Sequence, residues 1–159
     1  MKTRMLPKLI VYDFDGVMTD NKVYVDQNGK EMVQVNRADG LGISEINKLG
    51  IKQIIISTEK NPVVSKRAQK LDLIYFQGVK DKKHTLINFC KKNKIDLNNV
   101  AYIGNDINDL EVMEIVKYTF CPSDSHNSIK KISRYTLKSR GGEGVIRELF
   151  DLLTNTKGD

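Results

Sequence analysis

Short apolar runs alternate with longer amphipathic stretches along this chain. Runs with the length of buried strands cover Leu9–Tyr12, Ile54–Ile56, Val100–Ile103 and, more weakly, Tyr118–Cys121. The stretches with the apolar spacing of helices are "DGLGISEINKLG", "KNPVVSKRAQKLD", "DKKHTLINFCKKN", "NDLEVMEIVK" and "GVIRELFDLL". Strands that alternate with helices predict an α/β fold whose parallel sheet is covered by helices on both faces.

Residues at the predicted helix ends support this division. In the first helical stretch apolar residues recur every third position up to Leu49, and Gly50 predicts the end of the helix. In the second stretch we expect Asn61 to cap the helix and Pro62 to occupy its first position.

One segment has the period-two pattern of a β-hairpin instead. It runs from Lys22 to Asn36 around Asn28-Gly29, a dipeptide typical of hairpin turns. Because it follows directly on acidic residues at the end of the first strand, we expect a small flap over the mouth of a site. An edge hairpin without a role is the alternative.

Length and composition fit a single domain over residues 1–159. The chain is 40% hydrophobic and 29% charged, as expected of a globular protein. Neither a membrane span nor a signal peptide is indicated by its apolar runs, so a cytoplasmic location is expected. Cys90 and Cys121 lack the spacing of metal or redox sites and are expected to be reduced core thiols.

The net charge of +6 does not by itself point to nucleic acid. The lysines are spread along the whole chain, and no cluster of basic and aromatic residues is present. We therefore expect no nucleic-acid partner, and a basic surface also suits a small anionic substrate. His84 and His126 are too few and too isolated for a histidine metal site.

Polar side chains follow three of the predicted strands. Asp13 and Asp15 follow the first, Ser57 and Thr58 the second, and the segment 104–109 the third. Ligands of parallel sheets bind beyond these strand ends. Alternate residues of an extended chain point the same way, so the two carboxylates converge, either to share a proton or to bind a hard cation such as Mg²⁺.

Further groups for a cation and a phosphate occur nearby in the sequence. Asn105, Asp106 and Asp109 could complete the cation site, with helix capping as the alternative. Ser57 offers a hydroxyl where backbone N–H groups would face an anion. Lys82 could neutralise a phosphoryl group, and its neighbours Lys80 and Lys83 compete for this role.

Together these motifs resemble the haloacid-dehalogenase-type phosphatases. "DFDGVMTD" is similar to the first motif of that family, D-x-D-G-x-x-[TS], and Ser57, Lys82 and "GNDIND" match the later motifs in order. The hairpin, "VNRADGLGI", "FQGVKDK" and "RGGEGVIREL" resemble a subfamily that acts on 8- or 9-phosphorylated 3-deoxy-ulosonic acids. This likeness covers nearly the whole chain and implies a Rossmann-like three-layer fold without a large cap domain.

The resemblance also implies catalytic and metal-binding roles. Asp13 would be the nucleophile that forms an aspartyl-phosphate. Asp15 would be the general acid for the leaving sugar oxygen and then the base for water. Ser57 and Lys82 would bind phosphoryl oxygens. Mg²⁺ would be held by the Asp13 carboxylate, the Asp15 backbone carbonyl and the last motif, so the implied metal set is Asp13, Asp15, Asn105, Asp106 and Asp109.

A sugar-acid phosphate substrate and an assembly are implied as well. The residues expected to bind the substrate are Asn36, Arg37, Asp39, Gly40, Thr58, Glu59, Lys60, Arg67 and Arg140. The resemblance to family members without a large cap implies a homotetramer in which a neighbouring subunit closes each active site. The "RGGEG" stretch would then reach the mouth of a neighbouring subunit.

The sequence also departs from the family pattern. Asn105 replaces the usual metal-binding aspartate, which lowers the expected Mg²⁺ affinity or leaves that role to Asp106. Glu59 and Ala38 stand where octulosonate phosphatases usually carry arginine, which favours a nine-carbon acid such as a sialic, KDN or legionaminic-type 9-phosphate. The alternative to a phosphoric monoester hydrolase is a non-catalytic oligomerisation module like the one fused to CMP-sialate synthases.

Overall fold

A computed structural model describes residues 6–155. Its strands are β1 (Leu9–Tyr12), β2 (Tyr24–Val25), β3 (Glu31–Met32), β4 (Lys52–Ile56), β5 (Ile74–Phe76), β6 (Val100–Ile103), β7 (Tyr118–Cys121) and β8 (Tyr135–Thr136). The main sheet is parallel, in the order β5-β4-β1-β6-β7-β8. This confirms the predicted α/β sheet. The edge strands β5 and β8 were not predicted, because they are short and partly exposed and so lack a strong apolar run.

Helices cover both faces of this sheet. They are α1 (Arg37–Lys48), α2 (Val63–Lys70), α3 (Lys82–Asn93), α4 (Leu110–Met113), α5 (Asn127–Ile132) and α6 (Val145–Thr154). Residues of α1, α2 and α6 pack in one core cluster, and residues of α3, α4 and α5 pack in the other. The three-layer arrangement is therefore confirmed. No helix within residues 6–155 is long and apolar enough to cross a membrane.

Strand β1 lies at the centre of the sheet, between β4 and β6. All residues of β1 and β6 are buried. Tyr12 pairs with Ile55 on one side and with Ile103 on the other. The next residue, Asp13, donates its backbone N–H to Ile103 O at 3.0 Å. This register places the segments that follow β1, β4 and β6 side by side.

Helix ends agree in part with the predictions. Gly50, with a φ of +74°, follows the last residues of α1 as expected. Helix α2 begins one residue later than predicted, so that Pro62 is its N-cap residue. Asn61 still caps it, because its Oδ1 accepts from the Val63 N–H at 3.1 Å. The "NDLEVMEIVK" helix is shorter than predicted, a 3₁₀ turn (107–109) followed by α4, and α5 was not predicted.

The predicted hairpin is present, and its turn includes Asn28 and Gly29. Strands β2 and β3 pair antiparallel, and the Asp26 N–H donates to Lys30 O at 3.0 Å across a three-residue loop. The Asp26 carboxylate accepts the N–H groups of Asn28 and Lys30 and so stabilises this loop. A bridge between Thr19 and Val35 joins the base of the hairpin to the loop that follows β1.

Candidate active site

The ends of β1, β4 and β6 meet at a pocket of about 340 Å³. It is lined by Asp13, Asp15, Asn21, Ser57, Thr58, Asn105, Asp106, Ile107 and Asn108. The polar clusters that follow three separate strands in the sequence are thus brought together. Asn21 and Ile107 were not singled out from the sequence, where they look like ordinary loop residues.

Asp13 is fixed at the floor of this pocket. Its Oδ1 accepts from the Phe14 N–H at 2.8 Å and from Lys82 Nζ at 2.9 Å. Burial raises the pKa of Asp13 to about 7; the Asp109 carboxylate also raises it, and Lys82 opposes both effects. A carboxylate held from one side in this way can present its other oxygen to a ligand.

Lys82 lies behind Asp13. It is the first residue of α3, and Asp81 caps that helix by accepting the His84 N–H. The ammonium group contacts Asp109 Oδ1 at 2.8 Å as well as Asp13. Burial lowers the pKa of Lys82, but the two carboxylates raise it by more, so Lys82 carries its positive charge. Neither Lys80 nor Lys83 makes these contacts.

Asp109 holds neighbouring groups of the site in place. It is fully buried, and besides Lys82 its Oδ1 accepts from the Tyr102 hydroxyl at 2.8 Å. Its Oδ2 accepts from the backbone N–H of Asn105 at 2.9 Å and of Asp106 at 3.4 Å. With both oxygens engaged, Asp109 has no lone pair aimed at the pocket, contrary to its prediction as a metal ligand.

Asp106 likewise adopts the alternative role of a cap. Its Oδ1 accepts from the Ile107 N–H at 2.7 Å and begins the 3₁₀ turn. Within residues 6–155, no three His, Cys, Asp or Glu side chains cluster as a metal site. Asp106 nevertheless lines the pocket, beside Asn105.

Three oxygen-bearing groups do converge in the pocket. One end atom of the Asn105 side-chain amide lies 2.9 Å from Asp13 Oδ2 and 3.0 Å from the Asp15 backbone oxygen. If that atom is nitrogen, it donates to both. If it is oxygen, it lies about 3 Å from each of the other two oxygens, the separation of two ligands at right angles around Mg²⁺ at about 2.0–2.1 Å. The residues therefore fit a Mg²⁺ ion held by Asp13, Asp15 and Asn105.

Gly16 makes room for this arrangement. It has a φ of +81°, which a residue with a side chain rarely adopts. A Cβ atom there would overlap the Asn105 amide. The glycine of "DFDG" is thus required both by the turn after β1 and by the close approach of Asn105.

Asp15 stands at the side of the pocket and is only partly buried. Burial raises its pKa above the ordinary value of 3.8, and the carboxylates of Glu59 and Glu31 raise it further. A raised pKa favours the protonated form that a general acid needs. Glu31 belongs to the hairpin, so the hairpin contributes to the electrostatics of the site.

Ser57 and Thr58 form the wall that follows β4. Ser57 is buried, with 1% of its surface exposed, and its Oγ accepts from the Glu59 N–H at 3.1 Å. Asn108 Nδ2 donates to Thr58 Oγ1 at 3.4 Å across the pocket. The hydroxyl groups of the wall are thus available to bind an anion that lies against Asp13.

The predicted substrate-binding residues do not all lie in this pocket. Arg37, Gly40 and Arg67 line a second cleft of about 620 Å³, together with Val35, Leu41, Lys70 and Leu71. The two pockets share no lining residue. This cleft, which carries Arg37, Arg67 and Lys70, lies between α1 and α2 and is separate from Asp13 and Asp15.

Asn36 and Asp39 have structural contacts instead. Asn36 Oδ1 caps α1 by accepting the Ala38 N–H at 2.8 Å, and its Nδ2 donates to Gly142 O at 3.3 Å. Asp39 is 2% exposed, and its Oδ1 accepts the Ile146 N–H at 3.0 Å. Asp39 therefore binds the first turn of α6, and the prediction that it lines the sugar site is not supported by its position.

Glu59, Lys60 and Arg140 do not line the pocket. Glu59 Oε1 accepts the backbone N–H groups of Lys60 and Asn61, both at 2.8 Å. The Arg140 side chain is 64% exposed and lies 3.8 Å from Asp124.

The rest of the "RGGEG" stretch packs on its own chain. The Gly142 N–H donates to Val17 O at 3.1 Å, and a Cβ atom at Gly141 would overlap Gly16 O. Arg140 and Glu143 are the exposed residues of this stretch.

Comparisons with known proteins agree with this fold. Residues 18–149 match the haloacid dehalogenase-like hydrolase family. The 3-deoxy-D-manno-octulosonate 8-phosphate phosphatase KdsC of Salmonella typhi is 33% identical over 152 residues, which cover 95% of this chain and 81% of the relative.

Solved structures of similar proteins superpose closely on the whole fold. The 3-deoxy-D-manno-octulosonate 8-phosphate phosphatase of Yersinia pestis has a TM-score of 0.90 and 30% identity, covering 94% of this chain and 82% of that one. The same enzyme of Moraxella catarrhalis, solved with a magnesium ion, a phosphate ion and KDO, has a TM-score of 0.90 and 29% identity, covering 94% and 87%. The chain therefore belongs to the haloacid dehalogenase-like hydrolase family, and its predicted class, a phosphoric monoester hydrolase, is confirmed.

Proposed function

We propose that this protein is a Mg²⁺-dependent phosphatase that hydrolyses the phosphate monoester of a 3-deoxy-ulosonic acid, preferably a nine-carbon 9-phosphate. The observation that carries the proposal is the convergence of Asp13 Oδ2, the Asp15 carbonyl and the Asn105 amide at one point of the pocket. Relatives that are named as phosphatases of octulosonate 8-phosphate support the substrate class.

The proposed reaction uses the chain's own side chains in two steps. The Asp13 carboxylate attacks phosphorus and forms an aspartyl-phosphate, while Asp15 gives its proton to the leaving sugar oxygen. Asp15 then takes a proton from water, which attacks the phosphorus of the aspartyl-phosphate and releases phosphate and free Asp13. Ser57 and the charge of Lys82 stabilise the phosphoryl oxygens. A bound Mg²⁺ would supply Lewis-acid stabilisation of the phosphoryl charge.

A phosphate-release assay with Mg²⁺ tests this function. The panel holds 3-deoxy-octulosonate 8-phosphate and the 9-phosphates of KDN and N-acetylneuraminate. We expect turnover of at least one of these, highest for a nine-carbon acid, and its loss by a factor of about 10³ or more in Asp13→Asn. No turnover of any panel member would favour the non-catalytic module.

The nine-carbon preference is proposed because Glu59 stands at the mouth of the site, close enough to Asp15 to affect its pKa. A carboxylate there can accept hydrogen bonds from the additional hydroxyl or amide groups of a nine-carbon acid. Glu59→Gln should lower the ratio of nine-carbon to eight-carbon turnover, whereas Glu45→Gln, on the exposed side of α1, should leave it unchanged. An unchanged ratio in Glu59→Gln would refute the role of Glu59.

We also propose a cytoplasmic homotetramer in which a neighbour completes each site. The hairpin presents exposed apolar side chains, with Tyr24 71% and Met32 64% exposed in the single chain, and such a surface favours contact with another copy. Light scattering should give the mass of a tetramer. Tyr24→Asp should dissociate it, and Leu152→Asp on α6 should not. A monomeric wild type would contradict the assembly.

A further inference from the structure

We propose that Tyr102 is a positioning residue for the phosphatase reaction, acting through Asp109 on both Lys82 and the Asn105 segment. Tyr102 lies in β6 and is fully buried. It does not touch the pocket, so any effect on the reaction has to pass through the groups it contacts.

The contact that matters is its hydroxyl. Tyr102 donates to Asp109 Oδ1 at 2.8 Å, the same oxygen that accepts from Lys82 Nζ at 2.8 Å. A neutral donor stabilises the buried carboxylate without adding a second cation, and a hydrogen bond to a charged group is among the stronger ones. Tyr102 therefore helps to hold the Asp109 carboxylate in one orientation in a place that water does not reach.

Each oxygen of the Asp109 carboxylate contacts a different part of the site. Through Oδ1 it shares the Lys82 ammonium with Asp13, the candidate nucleophile. Through Oδ2 it holds the backbone N–H of Asn105, whose side chain meets Asp13 and the Asp15 carbonyl. Loss of the Tyr102 hydroxyl frees one lone pair of Asp109, so the carboxylate can rotate and release either contact.

The chain offers a closely matched control in Tyr12. It lies in the neighbouring strand β1, is also fully buried, and also donates one hydrogen bond, to Gln53 Oε1 at 2.7 Å. Its side chain packs in the core cluster on the opposite face of the sheet, away from Asp109. Tyr12→Phe and Tyr102→Phe therefore each delete one buried hydroxyl, but only Tyr102→Phe removes a hydrogen bond to Asp109.

Kinetics with p-nitrophenyl phosphate and Mg²⁺ test the role in the reaction. Tyr102→Phe should lower kcat by about tenfold or more, because the loss of a hydrogen bond to a charged group corresponds to a rate change of that size. KM should change by less than about twofold. Tyr12→Phe should keep kcat within about twofold. Equal kcat values for the two variants would overturn the inference.

A double mutant tests whether Tyr102 acts through Asp109. In the Asp109→Asn background, adding Tyr102→Phe should lower kcat little further, because the coupling partner is already lost. A full additional loss would show that Tyr102 acts independently of Asp109 and would also overturn the inference.

Hydrogen exchange gives a readout that does not need the reaction. The backbone N–H of Asn105, which donates to Asp109 Oδ2, should exchange its hydrogen about tenfold faster in Tyr102→Phe than in Tyr12→Phe. Equal exchange would overturn the inference whatever the activity. The inference rests on the proposed function only for its kinetic part. A wild type that hydrolyses no phosphate ester would refute the function, while the exchange rates would still decide the role of Tyr102.

Discussion

Lys82 Nζ lies 2.9 Å from Asp13 Oδ1, and both side chains are almost completely removed from water. The same ammonium group lies 2.8 Å from Asp109. One cation thus serves two buried carboxylates, one that faces the ligand pocket and one that holds the loop after β6. This shared charge links the candidate nucleophile to the rest of the site.

Removal of the Lys82 charge should affect both stability and activity. Lys82→Met leaves Asp13 and Asp109 buried without a cation, and we expect a loss of roughly 3–5 kcal/mol in the free energy of unfolding. Turnover should fall by about a hundredfold or more, because the phosphoryl charge also loses its partner. Urea unfolding and a phosphate-release assay measure the two effects.

The neighbouring Lys83 provides the control. It is partly exposed and makes no ion pair with Asp13 or Asp109. Lys83→Met should change the free energy of unfolding by less than about 1 kcal/mol. If Lys82→Met were as stable and as active as Lys83→Met, the shared-cation interpretation would be wrong.

Asn105→Asp should make the site more dependent on Mg²⁺. Without the ion, a carboxylate would face Asp13 Oδ2 and the Asp15 carbonyl at about the distances of the present amide, 2.9 and 3.0 Å, and repel both. With the ion, the added charge should tighten binding, and turnover should be kept or raised. Thermal unfolding with and without Mg²⁺ should show a lower starting Tm and a larger Mg²⁺-induced increase than in the wild type.

Asn108→Asp is the matched control for this change. Asn108 lines the same pocket but lies at Thr58 instead of at the three converging oxygens. Its substitution should not enlarge the Mg²⁺-induced increase in Tm. An equal increase in the two variants would indicate a general charge effect in the pocket.

Mg²⁺ affinity should depend on pH. The pKa of Asp13 is about 7 without an added cation, and Mg²⁺ binds the carboxylate form, so binding has to release the proton. The dissociation constant should therefore be about tenfold larger at pH 6 than above pH 8. Calorimetric titrations in buffers of different ionisation enthalpy measure both the affinity and the released protons. An affinity independent of pH would contradict the raised pKa.

Asp39 should make the folded state less stable as the pH rises. Its pKa is raised from 3.8 to about 6, chiefly by burial, so between these values the folded chain binds more protons than the unfolded chain. The free energy of unfolding therefore carries a penalty that is absent below pH 4 and complete above about pH 6, at roughly 2–3 kcal/mol. Asp39→Asn cannot ionise and should lose this part of the pH dependence.

Unfolding measurements at pH 4.5 and 7.5 test this. From pH 4.5 to pH 7.5, the stability of Asp39→Asn should rise relative to that of the wild type, because only the wild type has to bury the ionised carboxylate. Asp151→Asn, exposed on α6, should show no such shift. A constant difference for Asp39→Asn would refute the buried-charge penalty.

The sequence predicted the site best where a residue's position depends on strand ends. Asp13, Ser57 and Asn105 follow three apolar runs, and parallel strands that end together bring their following residues together. Lys82 was a candidate from its place at the start of a helix and then from the family motif, and the structure shows that it pairs with Asp13 and Asp109. The "GNDIND" motif was less informative, because three of its polar residues look equally able to bind a metal.

Long-range contacts were not predictable in the same way. Tyr102 appears in the sequence only as part of an apolar strand, and nothing local shows that its hydroxyl meets Asp109. Arg37 and Arg67 look like substrate ligands, yet they line a separate cleft. Asp39, close to the flap in sequence, binds Ile146 of the last helix.

By itself, the sequence determined the alternation of strands and helices, the parallel sheet that this alternation implies and the edge of the sheet where polar side chains gather. Local apolar periodicity and the register of parallel strands are sufficient for that. The tertiary structure alone decided which polar partner each buried side chain meets. Those partners lie far apart along the chain, 69 residues for Lys82 and Asp13 and 107 for Asp39 and Ile146. Burial removes water as a partner, so each of these groups takes the donors and acceptors that packing brings to it.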